Sequence, residues 1–328
     1  MIVTVTANPS IDITLEVPEF SIGEVNRAAH VSKDPAGKGI NVARALTRNG
    51  IVSSAVFPAD HSSGGWIVDS LGKLGVPTQS IPIAGEVRQN ITVVDGNGQT
   101  TKINQAGPTL SSAETEALVS RVRELLATSP AWLVAAGSLP GGLSDDFYVE
   151  LGTLAREAGV RFAVDASGDA LAAVVNSGVA DLLKPNLEEL EEFAGRPLPT
   201  VGDVVDTCRA LPGGPGLCVL VSLGEHGALL VTRDRALWAA HAPVVPDSTV
   251  GAGDCTLAGF LASDARARHD GLAEADPLAA RLVSAVAWGT AAVQLPATAV
   301  PSPDLIHLDE VALSTDLSPT TQIQELHL

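Results

Sequence analysis

Residues 248–260 read STVGAGDCTLAGF. Gly251, Ala252 and Gly253 deliver the chain to Asp254 with almost no side chains, at the foot of an apolar run that reads as a helix. Bare backbone N–H groups at a helix start stabilise negative charge, including charge that develops on a phosphoryl group in transfer. A carboxylate there repels the same anion, so loop and Asp254 are compatible only if they serve different reactants. The loop would form an anion hole, and Asp254 would take the proton from an attacking hydroxyl as general base. By themselves these four residues also read as an acid-capped helix terminus. The lysine of a Walker motif is missing, which separates this loop from a P-loop.

Further glycine-bearing loops are GKGIN (37–41), GSLPGG (137–142), DASGD (165–169), KPNLEE (184–189) and SLGEHG (222–227). They must be placed by regular elements. MIVTVTA (1–7) is a strand by its β-branched content, and 37–50 is a glycine turn and helix ending at Gly50. Strands follow at 51–59 and 77–83, with a helix near 65–74 between them. From Ser111 the order is regular: helix 111–127, strand 132–137, helix 145–159, strand 161–167, helix 170–178, strand 181–186 and helix 188–195. A helix begins near Val201, 217–224 and 227–233 form a strand pair, and helices start at Gly253 and Pro277.

This alternation predicts an α/β fold: a doubly wound, mainly parallel sheet flanked by helices. In such a sheet, ligands bind outside the carboxyl ends of the strands, where the glycine loops lie. Residues 88–104 break the rhythm, because Asp95-Gly96-Asn97-Gly98 marks a hairpin. With strand-like 11–34 they predict a small inserted β-sheet lid. The core then comprises 1–10, 35–87 and 105–315, and the tail 316–328 has few core-forming residues and is expected to be loosely ordered.

The chain is 45% hydrophobic but 3% aromatic, so its core must be aliphatic, as in buried parallel strands. A net charge of −18 argues against nucleic-acid or anionic-membrane partners. Cys208, Cys218 and Cys255 contain no CxxC pair and imply no disulfide framework. The amino terminus reads as a strand and not a signal peptide, and no stretch is apolar for about 18 residues. The expectation is a cytoplasmic protein.

Together the motifs resemble the ribokinase-like, or phosphofructokinase B, family of sugar kinases. GKGINVARAL (37–46) is similar to its amino-terminal signature and DSTVGAGDCTLAGF (247–260) to its carboxy-terminal one. ANPSID (7–12), GSLPGG, KPNLEEL and SLGEHGALL stand in the expected order. The resemblance implies a ribokinase-like fold, with ATP and Mg²⁺ as donor and cofactor. It makes Asp254 the base, with Gly251, Ala252 and Gly253 as the anion hole. Asp12, Gly37, Gly39, Asn41 and Ser138 would line the sugar site. Lys184, Asn186, Ser222, Gly224 and Gly227 would surround the nucleotide. Asn186 and Glu189 would bind metal, directly or through water. Those two residues also read as a helix capping box, and Asp12 as a turn residue. Relatives often carry serine where this chain has Cys255.

In a chain with 20 basic against 38 acidic residues, cations near the sugar site are informative. Arg27, Lys38, Arg88 and Lys102 fall on the lid or in the GKGIN loop, which suits a phosphate on the acceptor. GEVNRA (23–28) and RQNITV (88–93) look most like the phosphosugar branch, 1-phosphofructokinase foremost. That implies fructose 1-phosphate going to fructose 1,6-bisphosphate, with tagatose-6-phosphate or 6-phosphofructokinase activity as alternatives. Exposed lid strands suggest a homodimer through the lid. A dinucleotide-dependent oxidoreductase fits poorly, since NPSID after the first strand has no glycine. A catalytically silent sugar- or nucleotide-binding protein would be expected to have lost Asp254.

Overall fold

The computed structural model describes residues 1–270 and 275–327; positions 271–274 of the expected core and Leu328 of the tail lie outside it. Strand β1 (Ile2–Val5) is followed by the hairpin β2 (Ser10–Glu16) and β3 (His30–Ala36). Helix α1 (Lys38–Arg48), β4 (Ser53–Ala59), α2 (Ser63–Lys73) and β5 (Thr78–Pro82) come next. A second hairpin, β6 (Arg88–Val94) and β7 (Thr100–Asn104), precedes α3 (Ser112–Leu126). Then follow β8 (Trp132–Ala136), α4 (Phe147–Glu157), β9 (Arg161–Asp165), α5 (Gly168–Ser177) and β10 (Leu182–Leu183). Helices α6 (Leu187–Ala194) and α7 (Val201–Ala210) lead to β11 (Cys218–Ser222), β12 (Ala228–Val231) and β13 (Ala236–His241). The last elements are α8 (Ala252–Asp270), α9 (Pro277–Val293) and β14 (Val311–Ser314).

The main sheet has the order β14-β13-β12-β11-β10-β9-β8-β1-β4-β5. It is parallel from β11 to β5, and β12, β13 and β14 add an antiparallel edge. After β1 the chain first builds outward through β4 and β5, then returns to the other side of β1 for β8 to β11. That reversal makes the carboxyl ends of β1 and β8 the switch point where such sheets open a ligand crevice. Alternation along each strand sends Val3, Val5, Leu133 and Ala135 to one face, against α3 to α7. Ile2, Trp132 and Val134 point to the other face, against α1, α8 and α9. Most of the packing is aliphatic, and Gly259 allows close helix contact: a Cβ there would lie 2.5 Å from Ser284 O on α9.

The lid is a separate sheet of order β3-β2-β6-β7, inserted once after β1 and once after β5. Strands β2 and β6 pair in parallel with Asp12 beside Asn90, so Ser10, Asp12, Arg88 and Asn90 share one face. Asp60, at the end of β4, accepts the N–H groups of Ser62, Ser63 and Gly64 at the start of α2 and also that of Val87. One carboxylate thereby joins the core to the root of β6.

Two features differ from the sequence expectation. Strands β13 and β14 carry no clear turn-and-alternation signal; β13 pairs on the edge that β12 leaves open, and β14 on the edge of β13. Residues 316–327 are docked, not loose. Ile323 and Leu326 are buried against the core around α7, Thr200 bridges Gln322, and Leu326 O meets His226 Nδ1 at 3.0 Å. Two apolar side chains and a few backbone bonds suffice for a short tail.

Candidate active site

A cavity of about 380 Å³ opens between the lid and the carboxyl ends of the strands. Helix α8 begins at its floor. Gly251 has φ +81°, a backbone that favours glycine, and with Gly253 it lines the cavity at the start of α8, where first-turn N–H groups have no partner within the helix. Asp254, in that first turn, is 6% exposed, and its Oδ2 accepts a hydrogen bond from Asn41 Nδ2 at 2.8 Å. Asn41 comes from α1, which Gly39 lets approach β1; a Cβ there would sit 2.5 Å from Thr6 Oγ1. Gly253 is similarly confined, its Cβ direction pointing at Lys184 Nζ 3.3 Å away.

Behind Asp254 lies a chain of alternating charge. Lys38 Nζ is 2.7 Å from Asp165 Oδ1 and 3.7 Å from Glu189 Oε1. Lys184 Nζ is 3.0 Å from Asp165 Oδ2, and both side chains are buried. Burial pushes Asp165 up, but Lys184 and then Lys38 more than offset it and hold the carboxyl below the usual range. Burial depresses Lys38, yet Asp165 and Glu189 hold its ammonium above the usual lysine value. For Asp254 the balance runs the other way. Burial and the neighbouring Asp165 raise it to about 7, against the lowering pull of Asn41, Lys38 and Lys184. A buried carboxyl near neutrality is matched to taking a proton at physiological pH.

Opposite this floor the lid contributes a polar wall. Asp12 Oδ1 accepts from Ser10 Oγ and Asn90 Nδ2, each at 2.9 Å. Arg88 Nη1 donates to Gln105 O at 3.3 Å and lines the cavity. Of the other expected sugar-site residues, Gly37, Lys38 and Asn41 line the cavity as well. Gly39 packs behind it, and Ser138 takes a hydrogen bond from Asn8 Nδ2 outside the lining. Arg27 and Lys102 are exposed lid residues and do not line it. The four cations therefore do not converge: Lys38 is drawn to Asp165, and in this arrangement Arg88 is the lid cation that reaches the cavity.

Of the residues expected around a nucleotide, Lys184, Asn186 and Ser222 line the cavity, whereas Gly224 and Gly227 shape the turn after β11 beyond it. Ala252 too lies outside the lining, one residue into α8. Asn186 and Glu189 form a reciprocal capping box: Asn186 Oδ1 accepts from Glu189 N at 2.7 Å, and Glu189 Oε2 from Asn186 N at 2.9 Å. Glu189 Oε1 takes no part in the cap and lies 3.7 Å from Lys38 Nζ at the cavity wall. Among the described residues no cluster of three or more His, Cys, Asp or Glu could cage a metal. Such a donor set fits Mg²⁺, which keeps its waters and is bound by one or two carboxylates plus substrate phosphates.

Asp165, Asn90 and Arg44 escaped the sequence reading as site residues. Asp165 stood inside a quoted glycine loop, DASGD, but its lysine partners are 127 positions upstream and 19 downstream. A larger cavity, about 450 Å³, opens at the amino ends of the strands near Met1, Arg161 and Arg268. It lacks a pairing like that of Asp254 and Asn41, so chemistry and not size selects the site.

The sequence matches the pfkB family of carbohydrate kinases over residues 3–305. It is 38% identical over 259 residues to the ATP-dependent 6-phosphofructokinase isozyme 2 of Mycobacterium tuberculosis, covering 78% of this chain and 76% of that one. It is 35% identical over 264 residues to the 1-phosphofructokinase of Rhodobacter capsulatus, covering 79% and 82%. In structure it is similar to Escherichia coli phosphofructokinase-2 solved with potassium, with TM-score 0.82, 30% identity and coverage of 93% and 96%. Arabidopsis thaliana ribokinase shares the fold at TM-score 0.70 and 21% identity, covering 93% of this chain and 96% of that one. Among the described residues no helix is long and apolar enough to cross a membrane. With the fold, both signature loops and this coverage in agreement, the chain belongs to the pfkB family of carbohydrate kinases and has the ribokinase-like fold.

Proposed function

We propose that this kinase transfers the γ-phosphoryl group of MgATP to a hydroxyl of a phosphorylated ketohexose, fructose 1-phosphate foremost, giving ADP and fructose 1,6-bisphosphate. The observation that carries the reading is Asp254: buried, poised near pH 7, and set beside the open N–H groups of α8. Asp12 and Asn90 would orient sugar hydroxyls, leaving one hydroxyl against Asp254. As its oxygen attacks phosphorus, its proton passes to the Asp254 carboxylate and the bond to the ADP oxygen breaks. The N–H groups of Gly251, Ala252 and Gly253 would stabilise the charge on the moving phosphoryl group. Lys184 and Lys38, held by Asp165, would bring positive charge to the same region without mutual repulsion. Glu189 Oε1 and Asn186 would contact Mg²⁺ through water, and the ion would neutralise phosphate charge.

Arg88 would hold the phosphate the acceptor already carries. Fructose 6-phosphate is the second reading, because the 6-phosphofructokinase relative is the more identical of the two named above. The product is the same; the acceptor would lie with its other end toward Asp254. The lid would close the site against water, and two lids would pair in a homodimer. Val31 on β3 and Ile103 on β7 are 50% and 55% exposed on lid edge strands, which a partner would cover.

ADP release with MgATP tests this, run in parallel on fructose 1-phosphate, fructose 6-phosphate, tagatose 6-phosphate, fructose and ribose. Preference for fructose 1-phosphate is expected. Preference for a bare sugar would remove Arg88 from phosphate binding, and silence on all five would overturn the phosphosugar reading.

A further inference from the structure

Asn41 meets Asp254 through an amide whose two ends are almost the same size. Rotating it by half a turn would replace an N–H donor facing the carboxylate with a carbonyl oxygen. What fixes the orientation stands on the far side. Arg44, one turn along α1 and 7% exposed, donates from Nη1 to Asn41 Oδ1 at 3.1 Å. A guanidinium has donors and no acceptor, so the amide must turn its oxygen toward Arg44 and its NH₂ toward Asp254. Arg44 is itself clamped from two further pieces of chain. Its Nη1 also reaches Pro35 O at 3.1 Å, at the end of lid strand β3, and Thr298 Oγ1 at 3.5 Å, in the segment after α9. Its Nη2 lies 4.0 Å from Asp34 Oδ1. Holding a guanidinium in so buried a place is costly, and burial lowers its affinity for the proton more than Asp34 restores it. Its contacts with Pro35 O, Thr298 and Asp34 would be equally available to a residue with no bearing on Asn41; the bond to Asn41 Oδ1 is its direct contact with a site residue, beside a charge that acts on Asp254 and Asp12 through space.

We propose that Arg44 is a positioning residue that locks the Asn41 amide with its NH₂ toward Asp254, and so keeps the base ready to accept a proton. The inference rests on Asp254 being the base. Without the lock the amide is free to turn its oxygen to Asp254. That arrangement favours the protonated carboxyl, which can donate, over the carboxylate, which cannot. The other charged groups around Asp254 are Lys38 on α1, Asp165 at the end of β9 and Lys184 after β10, and none of them touches the far side of the Asn41 amide. The charge of Arg44 also acts on Asp254 through space; Arg44→Lys keeps that charge, so a limb that moves in Arg44→Lys belongs to the lock.

The test is kcat against pH with MgATP and fructose 1-phosphate, and again with fructose 6-phosphate, for wild type, Arg44→Lys, Arg44→Met and Asp254→Asn. Binding of ADP by calorimetry reports whether each variant is folded. In Arg44→Met the acidic limb of kcat should move up by about one pH unit. Its kcat should fall roughly 10-fold at pH 6 and only about twofold at pH 8, with KM for ATP changed by less than about threefold. Arg44→Lys keeps the positive charge but ends one bond short of the Nη1 position that meets both Pro35 O and Asn41 Oδ1, so it holds the amide less well and its limb should lie between the two. Should Arg44→Met fail to bind ADP, Arg44→Lys decides alone. Wild-type kcat and limb in Arg44→Lys overturn the inference, as does a loss of rate with an unmoved limb. If Asp254→Asn keeps its turnover, the base assignment fails; if it is inactive while Arg44→Lys is normal, the lock alone fails.

Discussion

At the scale of single residues, Asp254 is where function and stability conflict. Its carboxyl titrates near 7 in the folded chain, against 3.8 ordinarily, because burial and Asp165 outweigh its favourable partners. The folded state therefore holds that proton more tightly than the unfolded chain does. The resulting stability is fully present below about pH 4 and is lost as pH rises through about 7. Asp254→Asn removes the titration. Its melting temperature should exceed that of wild type by about 2–5 °C at pH 8, with the difference vanishing toward pH 4. Turnover should fall by at least about 10²-fold, since the proposed proton acceptor is gone. Differential scanning fluorimetry across pH, beside the ADP assay, checks both; near-normal turnover would exclude Asp254 as the base. In wild type, kcat/KM should decline as pH falls below about 7.

Between elements, the decisive joints are short polar clamps. Asp60 gathers three N–H groups of α2 and the N–H of Val87, the residue before Arg88. The lid has no core of its own, so the angle at which β6 leaves this clamp sets where Arg88 points. Asp60→Asn places an amide NH₂ against backbone donors and should loosen that angle. Its KM for the phosphosugar should rise about 3–10-fold while KM for ATP stays within twofold. Arg88→Ala should change the same KM more strongly. Equal effects on both substrates would mean that Asp60 supports the whole cleft and not the lid root.

For the whole molecule, the lid lies on one side of a net-acidic kinase and leaves its strand edges unpaired. Pairing of two lids would cover Val31 and Ile103 and narrow the mouth of the site. Sedimentation at assay concentration should give twice the chain mass, and Ile103→Lys should shift it toward the monomer while raising KM for the sugar. A wild-type monomer at full activity would show that the lid works alone.

The sequence by itself determined the alternating elements, the inserted lid, the two signature loops and Asp254, because these depend on local periodicity and on residues close together in the chain. Asn186 and Glu189 were legible as a capping box because, three positions apart, they meet on one turn of helix. Asp165 and Asn90 were not legible, since Lys38 lies 127 positions from Asp165 and Asp12 78 from Asn90; Arg44 is three positions from Asn41, but that contact gains meaning only because Asn41 meets Asp254, 213 positions on. The cation count near the lid was legible too, but not where those side chains point. Tertiary structure decided that, bringing Arg88 into the cavity, pairing Lys38 with Asp165 and leaving Arg27 and Lys102 in solvent. Charge is a property of composition, whereas its use depends on which carboxylate the fold carries within reach.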